Sequence, residues 1–324
     1  MKSHLVRKTT LCSTLVLACA LTANAQTWPE RPVKIVVGYV AGGGPDSEAR
    51  LLGTKLSEVL KQSFVVENRP GAGGTLSSAV VAKSPPDGYT LLLGDAGQTV
   101  IAPFLFKSLP YDTLRDFAPV ALVGSDPILL VTSAKSGIKS MQDLIREAKA
   151  NPGKLSYGSS GVGSIHHIAA ETLKKELGIN LVHVPYKGSG QSVPAVLAGD
   201  VPVLMAGYAS AAPHIKAGTL NVLGSTSAKR LSYLPNVPAL SEFINGYSFP
   251  AEMGVLAPLG VAPAIVNRLS DAIAQAVRAP DLVARFMDVG TVVNYMPPAE
   301  YAAHLRSEIR KYDAAVKLAG VQPE

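Results

Sequence analysis

The stretch KIVVGYVAGGGPDSEARLL (residues 34–52) runs from β-branched apolar residues through three consecutive glycines into a segment with helical spacing. Leu51, Leu52, Leu56, Val59 and Leu60 form the apolar side of the helix it predicts, which ends near Lys61. A glycine-rich turn between strand and helix leaves backbone amides free at the helix N-terminus, where an anion is favoured. FVVEN (64–68) is the next strand, RPGAGG turns into another helix, and YTLLLG (89–94) follows the turn PPDG. Strands alternating with helices through short Gly/Pro turns predict α/β architecture with mostly parallel sheets.

The second half repeats the pattern without repeating the residues. KLSYGSSGVGSIHHIAAETLKKELG (154–178) gives strand, Gly/Ser turn and amphipathic helix, and NLVHVPY supplies the following strand. Each half therefore offers one corner with exposed amides. Two corners facing across a cleft suit a ligand with two anionic ends, or with one anionic end and a body. Further on, GTLNVLGSTSAKR reads as a strand entering a polar loop, and two amphipathic helices close the chain. Pro263 and Pro298 stand where helix starts tolerate them.

The first 25 residues read as an export leader. Lys2, Arg7 and Lys8 precede a short apolar run, and Ala23-Asn24-Ala25 gives the small-x-small cleavage pattern, which makes Gln26 the expected mature N-terminus. Cys19 offers a rival lipoprotein-like site. Cleavage after Ala25 discards Cys12 and Cys19 and leaves no thiol for disulfides, catalysis or metal binding. Removing three of the 30 basic residues leaves 27 against 24 acidic, an ordinary balance with no basic block suited to nucleic acid. About 300 mature residues predict two domains or one large one.

In the first corner Gly42, Gly43 and Gly44 permit close approach to the amides, and Pro45 fits the first helical turn. Asp46 and Glu48 already place two negative charges there, and the loop matches neither GxGxxG nor GxxxxGK[ST]. A tight turn or a cradle for a small carboxylate fits better than a nucleotide phosphate. The second corner, GSSGVGSIHH (158–167), carries no acid before Glu171. Ser159, Ser160 and Ser164 add hydroxyls to the amides of Gly161 and Gly163, and Ser164 is also a good N-cap. His167 and Glu171 are four apart on one helical face, but no third metal ligand stands at a recognisable spacing, so capping or surface roles are expected for His166 and His167. No GxSxG elbow is present. Asp95, Asp126 and Asp200 read as scattered loop acids that form no acid–base pair. Tyr186 and Lys187 end a strand, where open α/β sheets bind ligands; Lys187 either attracts an anion or solvates the loop.

Taken in order, WPERPVKIVVGYVAGGGPDSEAR, VVENRPGAGG, PPDGYTLLLG, LPYDTLRDFAPVALV, YGSSGVGSIHH, VPYKGSG and PHIKAG…STSAKR…LPNVPALSE resemble the Bug-type periplasmic solute receptors of tripartite tricarboxylate transporters. The resemblance runs from Trp28 to the C-terminus. It implies a two-domain venus-flytrap of the type II periplasmic binding-protein fold, with domain 1 formed by residues 26–125 and 247–324 and domain 2 by 126–246. It implies a monomeric, periplasmic protein without cofactor, metal or catalytic residues, whose partners are a small carboxylate and the membrane components of the transporter. Ligand contacts carry over onto Val40, Ala41, Gly42, Gly43 and Asp46, and across the cleft onto Ser159, Ser160, Gly163, Ser164, Tyr186 and Lys187.

Two departures bear on the solute. DAGQTVIAP (95–103) stands where many relatives read TSGTHAINP, which puts Asp95 at the cleft. LMAGY (204–208) stands where many read LMFD, so Ala206 and Gly207 remove bulk and charge. Together these predict a larger or aromatic carboxylate in preference to a small amino acid such as aspartate. The alternatives are a ligand sensor for a two-component system and a hydrolase using His166 or His167 with Asp95.

Overall fold

A computed structural model describes residues 28–323. The expected leader, its cleavage after Ala25 and the Cys19 alternative lie outside the described residues. Among the described residues no helix is long and apolar enough to cross a membrane.

Among the described residues eleven strands follow in chain order: β1 (Val33–Val37), β2 (Phe64–Asn68), β3 (Thr90–Asp95), β4 (Phe117–Asp126), β5 (Ile128–Ser133), β6 (Ser156–Ser159), β7 (Val182–Pro185), β8 (Val203–Gly207), β9 (Leu220–Ser225), β10 (Ala251–Pro258) and β11 (Val292–Met296). The helices that matter below are α1 (Gly44–Leu60), α2 (Thr75–Ala82), α3 (Met141–Ala150), α4 (Ile165–Leu177), α5 (Ser189–Ala198), α6 (Tyr208–Lys216), α7 (Pro263–Val277), α8 (Pro280–Asp288) and α9 (Pro298–Leu318). From Arg31 onward the chain is one compact unit. It holds two sheets, ordered β11-β4-β10-β3-β1-β2 and β7-β6-β8-β5-β9.

The local order β2-β1-β3 in the first sheet reappears as β7-β6-β8 in the second, with all four of these pairings parallel. In each triplet the earliest strand lies in the middle, so the chain leaves it in one direction and later returns on the other side. Such reversals create a crevice at the carboxyl ends of the strands. The loops after β1 and β6, which are the two corners seen in the sequence, stand at these equivalent points. The expectation of mostly parallel sheets needs correcting: β10 runs antiparallel to β3 and β4, β11 to β4, and β5 to β8 and β9. The alternating pattern gave no warning because β5 and β10 enter their sheets directly from the passages between sheets, with no crossover helix before them to impose a parallel direction.

The chain passes to the second sheet between Asp126 and Ile128 and returns between Ser225 and Ala251. The two passages are tied together, with Thr226 N donating to Ile128 O at 2.8 Å and Phe249 N to Thr226 O at 2.9 Å. Burial explains the strands: Val33, Ile35, Val36 and Val37 of β1 are covered on both faces, as parallel strands between helix layers require. Leu52 and Leu56 of α1 pack on that sheet, and Gly53 lets Phe64 O approach to within 3.3 Å of where a Cβ would sit.

Candidate carboxylate cleft

The first corner is held open by Asp46. Gly43, the residue before α1, makes no side-chain cap, and Gly42 takes the left-handed φ of +84°. Asp46 reaches back instead: its Oδ2 accepts from Gly42 N at 2.9 Å and from Arg50 Nε at 3.0 Å, and its Oδ1 accepts from Asn68 Nδ2 at 2.8 Å. Asn68 also donates to Tyr39 O at 3.0 Å, so the ENRPGAGG segment staples the loop from the neighbouring strand. Burial alone would raise the Asp46 carboxyl, but the Arg50, Gly42 and Asn68 hydrogen bonds outweigh it and hold its pKa below the ordinary value. Asp46, 2 % exposed, is therefore fully occupied within the protein, as is the Gly42 N–H. Val40, Ala41 and Gly42 are exposed, and the N-terminal amides of α1, including Gly44, have no intrahelical partner by position.

Asp95 ends β3 beside this loop. The Tyr39 hydroxyl donates to it in a short hydrogen bond, and Gln98 N donates to its Oδ1 at 3.0 Å. Burial raises its pKa despite those donors. Gly38 admits no side chain, since a Cβ there would lie 2.5 Å from Gln98 Nε2 and 2.6 Å from Gly74 Cα.

The second corner is more inward-turned than its composition suggests. Ser159 is buried, with Oγ 2.7 Å from His183 Nε2 and accepting from Gly161 N at 3.1 Å. Ser164 caps α4 by accepting from His167 N at 3.2 Å, and it donates to Gly161 O at 2.7 Å. Gly163 N donates to His167 Nδ1 at 3.1 Å, and a Cβ on Gly163 would meet Leu105 at 2.8 Å. These three residues shape the corner through their own internal bonds. Ser160 has intermediate exposure, and Val162 is 63 % exposed, much as Val40 of the first corner is at 66 %. Tyr186 N donates to Ser159 O at 3.1 Å, and the exposed Lys187 has its backbone N on Gln191 Oε1 at 3.2 Å.

A third element was under-read in the sequence. β8 ends at Gly207, which is also the residue before the first turn of α6. Its φ of −63° and ψ of 144° suit any residue, and a Cβ there would meet nothing within 4 Å. Ala206, expected at the solute pocket, is 1 % exposed and packs in the core with Leu129 and Val131, because β8 is covered on both faces from Val203 to Ala206. Gly207 is the position that leaves open space. Three helix N-termini, of α1, α4 and α6, thus follow the carboxyl ends of β1, β6 and β8.

Behind the second corner His167 and His183 stack at 4.0 Å between centroids, and Tyr157 stacks on His183 at 4.9 Å while donating to Glu171 Oε1 at 2.6 Å. His167 is thus a buried partner of the corner and not a surface group. Burial pushes His183 down to about 4, with the adjacent His167 adding to the effect, and pushes His166 down to about 4. The fold therefore favours neutral imidazoles, and this contribution is lost as pH falls from about 6.5 towards 4. We expect the melting temperature of a His183→Asn variant to fall less than the parent's across that window. Parallel curves in a pH-resolved melting series would contradict this.

One group among the described residues gathers potential metal-ligand atoms within 4.8 Å: Glu252, His304 and Glu308. His304 Nε2 lies 2.6 Å from Glu252 Oε2, and Lys311 bonds Glu308, so each carboxylate already has a basic partner.

The sequence matches the family model described as "Tripartite tricarboxylate transporter family receptor" over residues 48–321. The chain belongs to that receptor family. Protein BugT of Bordetella pertussis is 34 % identical to it over 307 residues, covering 94 % of each chain. Among solved structures, Rpa4515 of R. palustris with adipate is similar at 32 % identity and TM-score 0.81, covering 92 % of this chain and 100 % of that one. MatC from Rhodopseudomonas palustris with bound malate is similar at 30 % identity and TM-score 0.75, covering 89 % and 100 %. The receptor thus has the periplasmic binding-protein architecture expected for the family.

Proposed function

We propose that this receptor captures a carboxylate, and by preference a larger dicarboxylate over aspartate, between the corners after β1 and β6 and the start of α6. The observation that carries the reading is the pair of glycine-rich corners at equivalent points of the two sheets, each opening a helix whose amide end favours an anion. Adipate and malate in two similar structures support the ligand class. The open space at Gly207 supports a longer or bulkier solute. The solute-facing groups proposed are the exposed backbone of Val40, Ala41 and Gly44, the partly exposed Gly43, Ser160, and the amides opening α4 and α6, with Tyr186, Lys187 and Asp95 at the margins. Asp46, Ser159, Gly163 and Ser164 act by holding the corners in shape.

The two sheets are proposed as the cores of two domains, 26–125 with 247–324 and 126–246, closing on the solute about the paired passages near Asp126 and Phe249. Membership of the receptor family supports a periplasmic protein that hands its solute unchanged to the membrane components of the transporter, and no catalysis is proposed. The test is a thermal-shift screen with adipate, malate, aspartate and phthalate. A ligand present at a hundred times its Kd adds about 2.7 kcal/mol of stability. We expect the largest shift with adipate or phthalate, the smallest with aspartate, and full recovery of unaltered ligand after incubation. Equal shifts for aspartate and the larger dicarboxylates would remove the stated preference, and product formation would remove the binding-protein reading.

A further inference from the structure

Glu48 lies on the ligand helix α1, one turn beyond the first corner, yet it is only 2 % exposed. Thr291 Oγ1 donates to its Oε1 at 2.7 Å. Its other oxygen, Oε2, is buried and has no hydrogen-bond partner among the described residues. Asp126 is the last residue of β4 before the chain leaves the first sheet; the antiparallel register, with Val292 opposite Ser125, brings it to Thr291, the residue that bonds Glu48, and its charge acts on Glu48. Asp126 Oδ1 is likewise buried and without a partner. Ionised carboxylates are acceptors only. Two ionised groups here would be facing anions with two unsatisfied oxygens, unfavourable on both counts. A single proton corrects both, since the O–H of one carboxyl donates to the other.

Among the described residues no basic group pairs with Glu48 or Asp126. Asp95, at the end of β3, adds negative charge felt by both residues. Tyr233, on the returning passage, is affected by Asp126, and its hydroxyl is buried without a partner. Arg50 on α1 is committed to Asp46. On the helices beside α1, Arg268 and Asp271 of α7 are exposed, and Asp281 of α8 pairs with Lys55. Across β4 and β10, Asp126 opposes Ala251 while Glu252 opposes Ser125. Strand alternation therefore puts Glu252, with His304 of α9, on the other face of the sheet. Burial, reinforced by the mutual charge, pushes Glu48 well above the ordinary carboxyl range, and burial likewise raises Asp126.

We propose that Glu48 and Asp126 hold one proton between them at neutral pH, and that this proton pins the ligand helix to the point where the chain crosses between sheets. Neither residue belongs to the proposed solute contacts, so the inference stands apart from the identity of the solute.

A carboxyl that keeps its proton only when folded stabilises the protein most below the ordinary carboxyl range, and loses that contribution as pH rises through its raised folded value. The experiment compares the ligand-free parent with Glu48→Gln and Asp126→Asn. We expect the parent's melting temperature to fall relative to Glu48→Gln by about 2 °C or more between pH 5 and pH 9. We also expect the infrared carbonyl band of protonated carboxyl groups at pH 7 to lose intensity in Glu48→Gln. A pH-independent offset in both variants, or an unchanged carboxyl band, would overturn the shared proton. If sodium or calcium chloride raises the parent's melting temperature above choline chloride at equal ionic strength, and does not do so for Glu48→Gln, the pair binds a cation and the proposal also fails. The infrared measurement on the parent alone at pH 5 and pH 9 keeps the proposal testable if a variant does not fold: the band must weaken at pH 9.

Discussion

Replacing Gly207 with Asp is expected to abolish carboxylate binding, with adipate as the probe if the screen bears it out, while leaving the fold as stable as the parent or more so. The two effects separate because of where Gly207 sits. Its backbone angles suit any residue, and a Cβ there would meet nothing within 4 Å, so a side chain enters without strain. Gly207 precedes the first turn of α6, and Asp at that position accepts from the orphan amides, which is worth a few tenths of a kcal/mol over glycine. The same carboxylate takes those amides away from the solute and sets a negative charge beside it. Two like charges about 4 Å apart cost about 4 kcal/mol at an effective dielectric near 20. We therefore expect the adipate Kd to rise on the order of a hundred- to a thousand-fold in calorimetry, with Gly207→Ala changing it only a few-fold. An adipate affinity within about threefold of the parent in Gly207→Asp would remove the start of α6 from the site.

The position of Gly207 also shows how far the sequence could be read. Both corners were legible because their mechanism is local: glycine for a tight turn, then a helix whose first amides are free. Their equivalence in the two sheets was visible as the repeated strand–turn–helix pattern. Which donors remain free was not, since that depends on partners brought in by other strands. Ser159 looks like an anion donor in GSSGVGS, yet His183, 24 residues on and one strand over, takes its hydroxyl. The pairing of Glu48 with Asp126 spans 78 positions and joins a helix to a strand end that reads as a loop acid. The antiparallel strands β5 and β10 were equally hidden, because their register is set by the passages between sheets. Alternation could not have told Ala206 from Gly207, because β8 is buried from Val203 to Ala206 and only Gly207 at its end is partly open.

Asp46 carries a second large expectation. In the sequence it stands among the anion-binding glycines as a candidate solute contact; in the structure it is buried and accepts from Gly42, Arg50 and Asn68. Asp46→Ala removes the charged acceptor of the Gly42 N–H and of one Asn68 amide hydrogen, and a hydrogen bond to a charged group is worth about 1.5–3 kcal/mol; Asn68 keeps its bond to Tyr39 O. Arg50 is half exposed and remains solvated, so its loss adds little. We expect the ligand-free melting temperature to drop by roughly 5–10 °C, given about 2–4 °C per kcal/mol for a chain of this size class. The adipate affinity should fall with it, because the amides of Val40 to Gly44 are no longer held in one arrangement. The pH dependence has a definite sign: a carboxyl with a lowered folded pKa stabilises above its unfolded value near 4 and loses that contribution as pH falls through the folded one. Parent and Asp46→Ala should therefore differ fully at pH 6 and converge towards pH 3. If Asp46 acted by touching the solute instead, the ligand-free melting curves would superimpose at pH 6 and only the affinity would change.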